Sequence, residues 1–428
     1  MPLRPPWQDY LSRARWFAGK GLGGRLTQLE PLGWYTSPGE LPAVRSELAT
    51  VDYGSRQETY QLVVGYLAPG TGEPGALVTR AEVSGLGEVD VVDAPASATA
   101  MATLIPALLR GGPSVHWLAA EAVDADAPLR LFTGEQSNST VIVGGAMLKI
   151  FRRLEPGANL EIEVLSALGE SATTPRLYGW ISEAGYDLAM VCELVPDAKD
   201  GWGYATAACA AGRSIDDELA ALGVALRAVH AGLADRFGTA PRDGAELSAT
   251  MVARLEEAIP QAPVLGPLAA RLLPALKAPV GQQLTTQRVH GDFHLGQTLL
   301  GADGWRIIDF EGEPLKSLEE RREFDTVWRD VAGLLRSLDY ARSAHAEPSG
   351  PETLAWCRNA RAAFLTGYAG AAEVDPGLLR AYEVDKAIYE VIYETRNRPD
   401  WAHIPLSAVQ DGLVGSAVTP SPTNTEEM

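Results

Sequence analysis

Apolar positions along the chain change their period more than once, and the changes mark out its parts. Residues 7–16 read as a short amphipathic helix, and the run RWFAGKG at its end is either a core-anchored helix end with Gly19 as C-cap or, with rings beside basic residues, a platform for a ligand. Alternating segments follow. Residues 58–64 and 76–81 flank the run GTGEPG, a turn between strands. A small antiparallel sheet with one helix is therefore expected over residues 1–88. Residues 89–195 mix both periods. An Ala- and Leu-rich helix is predicted over 94–110, with Pro106 the place for a kink. Short strands are predicted at 129–133, 140–144 and 147–151, then a helix from Asn159, then an apolar strand over 188–195 that stops at Pro196.

From residue 196 to 428 the helical period dominates. Leu219, Leu222, Leu226, Val229 and Leu233 recur at three- and four-residue spacing across 214–234, with Ser214 and Asp217 in the places of a capping box. Further helices are predicted at 251–257, 267–276, 326–342, 352–368 and 378–396. One strand, 305–308, interrupts them, with Gly301 and Gly304 as the turn before it. The polar tail, 419–428, is expected to be disordered. The result is an α+β chain in three parts: 1–88, 89–195 and a mostly helical 196–428.

Composition narrows the function only a little. The chain has 428 residues, 46% hydrophobic and 21% charged, ordinary for a soluble globular protein. A net charge of −19 argues against nucleic acid and anionic membranes as partners. It does not argue against a nucleotide, which needs only local positive charge. Cys192, Cys209 and Cys357 are scattered, which suits a reducing cytoplasm. The start is not a signal peptide and no run of 18 apolar residues exists, so a cytoplasmic protein is expected.

The densest chemistry lies between His290 and Glu313. In the run HGDFHLGQ, Asp292 suits a base that takes a proton from a hydroxyl, and Gln297 offers an amide oxygen to a cation. Asp309 follows the strand at 305–308 and suits a hard divalent ion. An Asp, a ligand five residues on, and a strand-end Asp in Asp309-Phe310-Glu311-Gly312 parallel the kinase catalytic loop and its metal-binding turn. Two other readings exist: a structural turn with capping carboxylates, and a zinc hydrolase site on His290, Asp292 and His294. The zinc reading needs ligands from elsewhere, and the chain has only 6 His.

Lys149 lies in an apolar strand, where an ammonium needs a partner. Glu163, on the helix about fourteen residues later, fits as that partner, and Lys149 would then hold α- and β-phosphates. Ser137, Asn138 and Ser139 lie in the run GEQSNS, which suits a loop covering phosphates, although a polar hairpin explains it equally. The strand ending at Pro196 takes the place of a kinase hinge, with the backbone from Glu193 to Val195 facing adenine. His230 sits beside its helix's apolar stripe and reads as a structural histidine.

Rings beside carboxylates suit a sugar. Tyr389, Glu390, Tyr393 and Asn397 on one late helix, with Arg329 and Asp330 earlier, are the candidates, joined by His294 and Glu311. A solvated helix face with its rings turned inward is the plain alternative.

Over nearly its whole length the chain resembles bacterial maltokinases, within the aminoglycoside phosphotransferase and protein-kinase-like group. The resemblance rests on RWFAGK at 15–20, on Lys149 with Glu163, on HGDFHLGQ, on IDFEGEP at 308–314, on RDVAGLLRSLDY from Arg329, and on the closing YEVIYETRNRPDW. It implies a bilobal, eukaryotic-kinase-like fold with an N-terminal cap subdomain, a mixed N-lobe that binds nucleotide and a helical, sugar-binding C-lobe. It implies ATP and Mg²⁺ as cofactors and transfer to the anomeric hydroxyl of maltose, in a route to α-glucan (glycogen) beside trehalose synthase and a maltosyltransferase. Matched to this sequence, Asp292 is the base, Gln297 and Asp309 are the metal ligands, and Lys149 is the nucleotide lysine; His290, two residues before the base, reads as a catalytic-loop residue that orients the loop by hydrogen bonding. Two rivals stand: a kinase of another sugar such as glucosamine, and a nucleotide-binding pseudokinase that scaffolds a partner enzyme. The complete set of Lys149, Asp292, Gln297 and Asp309 argues against the second.

Overall fold

Residues 3–132, 137–313, 316–371 and 374–409 are described by the structure, a computed structural model. They group into two units: residues up to Ser171 with Pro175–Pro196, and Ala172–Thr174 with the residues from Asp197 on.

In the first unit, α1 (Arg4–Arg13) buries Trp7, Tyr10 and Leu11. They join a core with Tyr60, Leu62, Val64 and Val91 of an antiparallel sheet. That sheet contains β1 (Arg25–Trp34), β2 (Ala43–Asp52), β3 (Gln57–Leu67), β4 (Leu77–Val83) and β5 (Gly87–Asp93), in the order β1-β2-β3-β5-β4. The predicted cap at Gly19 is not made: α1 ends at Ala14. Gly19 serves packing instead, since a Cβ there would lie 1.9 Å from the Tyr53 hydroxyl. Next, α2 (Ala98–Leu109) is capped by Ser97 and runs through Pro106 to its end. The second sheet holds β6 (Val115–Trp117), β7 (Leu129–Phe132), β8 (Ser139–Val143), β9 (Ala146–Ile150), β11 (Leu177–Glu183) and β12 (Tyr186–Glu193). Its order is β6-β11-β12-β9-β8-β7, so β9 is central; the short β10 (Arg153–Leu154) pairs back with β3. Between β10 and β11 lies α3 (Leu160–Leu168), capped by Asn159.

The second unit carries β13 (Lys199–Asp200), α4 (Gly201–Ala210), α5 (Asp216–Phe237), β14 (Thr239–Asp243), α6 (Gly244–Ala258), α7 (Ala269–Leu276) and β15 (Gln283–Gln287). The hairpin β16 (Thr298–Gly301) and β17 (Gly304–Ile307) follows, then α8 (Leu318–Arg322), α9 (Trp328–Ser343), α10 (Pro351–Ala369), α11 (Pro376–Asn397) and α12 (His403–Ser407). The hairpin turn at Gly301 and Gly304 forms as expected. The capping box expected at Ser214 does not form, because α5 starts two residues later, at Asp216. Ser214 accepts instead from the Asp216 N–H at 3.2 Å. In α9 the fully buried Val331, Leu334, Leu335 and Leu338 pin the helix, each worth about 1.5–3 kcal/mol of burial. That helix fixes the position of the HGDFH loop. Among the described residues no helix is long and apolar enough to cross a membrane.

Candidate active site

The loop between β15 and β16 is held by one buried carboxylate. Asp330, in the first turn of α9 and 0% exposed, accepts from the backbone N–H of His290 at 2.7 Å and of Gly291 at 2.9 Å. Its Oδ2 also accepts from Nε2 of His230 at 2.9 Å, and the Tyr368 hydroxyl donates to His230 Nδ1 at 2.8 Å. Burial opposes the charge on Asp330, but His230 and these N–H donors outweigh it and hold its pKa low. Asp330 was expected near a sugar; full burial makes it a clamp on the loop instead. His230 is the structural histidine its helix position suggested. Gly333, one turn on, lets α9 approach: a Cβ there would sit 2.4 Å from the Phe293 carbonyl oxygen.

Within the loop, Gly291 has φ 86°, a conformation that favours glycine. His290 donates from Nε2 to the Ile308 carbonyl at 2.9 Å and packs between Phe293 and Phe310. Its Nδ1 faces the Asp292 N–H at 3.4 Å. Both ring nitrogens therefore serve the loop, so His290 is a positioning residue rather than a reacting one. His294 Nδ1 accepts from the Gly296 N–H at 3.0 Å, and burial lowers its pKa. These engagements leave no zinc cluster on His290, Asp292 and His294. His294 Nδ1 thereby serves the turn at Gly296, and its ring stays half-buried.

Asp292 meets a residue that the sequence did not disclose. Lys386 of α11 reaches Asp292 Oδ1 at 3.1 Å and Glu313 Oε1 at 3.1 Å. Burial works against its ammonium, but Glu313 and Asp292 outweigh that and raise its pKa. Glu313 in turn pairs with Arg329 at 2.7 Å and Lys316 at 3.4 Å. Burial favours its neutral form, yet these cations hold it ionised, well below the usual carboxylate range. Arg329 also donates to the Gly291 carbonyl at 3.1 Å and pairs with Asp325 at 3.1 Å, which ties this ion network to the loop.

Gln297 and Asp309 are brought together: Gln297 Nε2 donates to Asp309 Oδ2 at 3.0 Å. The Ile308 N–H on the Gln297 carbonyl at 3.0 Å sets that register. Asp309 has φ 64°, a left-handed conformation that costs a non-glycine residue roughly 1–3 kcal/mol. A carboxylate beside an amide is a donor set that suits a hard divalent cation, with the amide turned to present its oxygen.

In the first unit, Lys149 on β9 is 6% exposed and pairs with Glu161 at 2.8 Å. The expected partner was Glu163. Asn159 caps α3 through the N–H groups of Glu161 and Ile162, which puts Glu161 in the first turn against the sheet. Two residues along a helix is about 200° of rotation, so Glu163 lies on another face, beside Trp180 and Tyr186. Of the loop residues predicted to cover phosphates, Gly134 to Gln136 fall outside the described residues. Asn138 and Ser139 are engaged with Arg152, accepting at 3.3 and 2.8 Å, and only Ser137 is exposed. Arg152 forks onto Asp93 at 2.9 and 2.8 Å and lies 4.2 Å over Trp16. Within the RWF run, Arg15 is exposed while Trp16 and Phe17 are buried, and Trp16 seats Arg152. At the expected hinge, the Glu193 N–H is committed to the Arg176 carbonyl and the Leu194 N–H to Gly145, so Val195 is the remaining candidate there.

The sugar candidates on α11 divide. Tyr389 and Tyr393 stack, 6.3 Å apart and 20° from parallel, and Tyr393 is exposed. Glu390 turns inward instead, onto Arg336 at 2.8 and 3.0 Å. Asn397 bonds back to the Tyr393 carbonyl. Glu311 is half-buried, its carbonyl receiving Arg321 at 3.1 Å.

Comparison with known proteins agrees with this geometry. Residues 10–96 match the maltokinase N-terminal cap domain, and residues 128–383 match the phosphotransferase enzyme family. A glucosamine kinase of Streptacidiphilus jiangxiensis is 31% identical over 360 residues, 72% of this chain and 80% of that protein. One of Mycolicibacterium smegmatis is 29% identical over 315 residues, 65% of this chain and 78% of that protein. A solved glucosamine kinase, in complex with glucosamine, ADP and inorganic phosphate, superposes with a TM-score of 0.67 at 22% identity, over 96% of this chain and 100% of that one. The α+β chain described above has a kinase-like fold and belongs to the phosphotransferase enzyme family.

Proposed function

We propose that the protein is an ATP-dependent sugar kinase that phosphorylates maltose at its anomeric hydroxyl. The observation that carries the reading is Asp292 on a loop clamped by Asp330, with Lys386 at 3.1 Å and itself lining a cavity. Asp292 takes the proton of the acceptor hydroxyl as that oxygen bonds to the γ-phosphorus; the bond to the β-phosphate oxygen breaks and ADP leaves. An anomeric hydroxyl is more acidic than an ordinary alcohol, so the base acts late. Positioning and charge neutralisation supply most of the rate. Lys149, oriented by Glu161, takes the α- and β-phosphates, with Ser137 and Val195 as further nucleotide contacts. Gln297 and Asp309 would hold Mg²⁺, which neutralises charge on the phosphates when bound. Residues 1–88 form the cap, 89–195 the nucleotide-binding part and 196–428 the catalytic and sugar-binding part.

The match of residues 10–96 to a maltokinase cap supports maltose as acceptor. The 31% identity to a glucosamine kinase supports the second reading, an amino-sugar kinase. We infer further that the protein acts in the cytoplasm, and that a trehalose synthase supplies the maltose on the way to glycogen. The test is mass analysis of products from maltose, glucose, trehalose and glucosamine with ATP and Mg²⁺. Maltose phosphate as the dominant product supports the first reading. Dominant glucosamine phosphate replaces it with the second, and no sugar phosphate at all overturns both.

A further inference from the structure

A cavity of about 190 Å³ lies among α6, α11 and the residues Glu313, Lys316 and Arg329. Asp385 lines it and is 8% exposed. One of its oxygens, Oδ2, pairs with Arg254 at 2.5 Å, while Oδ1 is buried with no hydrogen-bond partner among the described residues. A buried carboxylate oxygen without a donor is costly, and a ligand O–H would relieve it. Burial holds the Asp385 carboxyl above its usual pKa despite Arg254 and Arg329. Four cations, Arg254, Lys316, Arg329 and Lys386, face three carboxylates, Glu257, Glu313 and Asp385. Glu313 serves three of those cations, and Asp325 and Asp292, which do not line the cavity, pair with Arg329 and Lys386, so the charges are matched. Tyr389 and Ile392 supply an apolar wall. Few convergent polar groups beside such a wall are what a saccharide ring requires. Lys386 both lines the cavity and touches Asp292, so the cavity begins one side chain away from the proposed base.

We propose that this cavity seats the part of the acceptor remote from its reacting hydroxyl and that Asp385 Oδ1 accepts a hydrogen bond from one of its hydroxyls. The proposal rests on the sugar-kinase reading above. An acceptor with a second ring fits it better than a single ring, because Asp292 does not itself line the cavity and Lys386 links the two.

The test compares full-length wild type, Asp385→Asn and the cavity-filling Ile392→Trp. Turnover is measured with maltose and with glucosamine at saturating ATP and Mg²⁺, and maltose binding by calorimetry. Both variants are expected to raise the maltose KM and Kd roughly tenfold or more, the scale of one lost hydrogen bond to a charged group. The kcat should stay within about threefold and the ATP KM should not move. The preference for maltose over glucosamine should fall in Asp385→Asn. Wild-type maltose affinity in both variants, or a wild-type preference for glucosamine, overturns the proposal. Wild type that binds maltose in an Asp385-dependent way but transfers no phosphate retains the cavity and sinks the kinase reading. Wild type that turns over maltose with unchanged KM in both variants does the reverse. Thermal midpoints near wild type in either variant show that the effect is not unfolding.

Discussion

Lys386 and Asp292 stand 94 residues apart in the chain and 3.1 Å apart in space. The ammonium is largely enclosed and shared with Glu313, so it fixes the Asp292 carboxylate through an ion pair. Lys386→Met is expected to lower kcat roughly ten- to a hundredfold through a misplaced base, with the ATP KM within about twofold. Steady-state kinetics check this; an unchanged kcat would separate Lys386 from the reaction.

Asp330 organises the loop from behind. It accepts two backbone N–H groups and one imidazole N–H in full burial, so Asp330→Ala strands three donors. A loss of about 3–5 kcal/mol is expected, the cost of breaking a buried charged network. Asp330→Asn keeps an acceptor and should lose less. Urea midpoints measure both, and an alanine variant as stable as wild type would contradict the clamp.

The nucleotide lysine distinguishes two glutamates on one helix. Lys149→Met and Glu161→Gln are each expected to raise the ATP KM roughly tenfold, about 1.4 kcal/mol of binding. Glu163→Gln should stay near wild type, because the 2.8 Å pair is made with Glu161. An effect confined to Glu163→Gln would reverse the assignment.

Glu313 makes stability depend on acid. Its folded pKa is depressed by Lys386, Arg329 and Lys316 acting against burial. The stability it contributes is therefore full above the unfolded glutamate value of about 4.3 and drains away as pH falls from there toward the folded value. Thermal midpoints of wild type and Glu313→Gln should differ most near pH 7, and the gap should begin to narrow as pH drops from about 5 to 3. A gap that stays constant over that range contradicts the ion network.

How much of this was legible in the sequence depended on range. The β17 strand, its Gly301–Gly304 turn and the joining of Gln297 to Asp309 were readable because they are local. Lys386 was not: nothing near it in the chain points to Asp292, and it lies between residues that look like ordinary helix filler. Asp330 was read as a sugar contact because a charged residue in an aromatic helix looks solvent-facing; only packing reveals its burial. The choice of Glu163 over Glu161 failed because both glutamates lie in the first turn after Asn159, and only packing turns Glu161 toward Lys149. In α5 a start at Asp216 rather than at Ser214 removed the capping box.

The central claim is that Asp292 is the base for phosphoryl transfer to a saccharide. Asp292→Asn, which keeps the shape of the loop, tests it in a single kinetic comparison with ATP binding measured alongside. The account predicts a kcat on the preferred sugar lower by roughly 10² or more with ATP affinity retained; turnover close to wild type would contradict it.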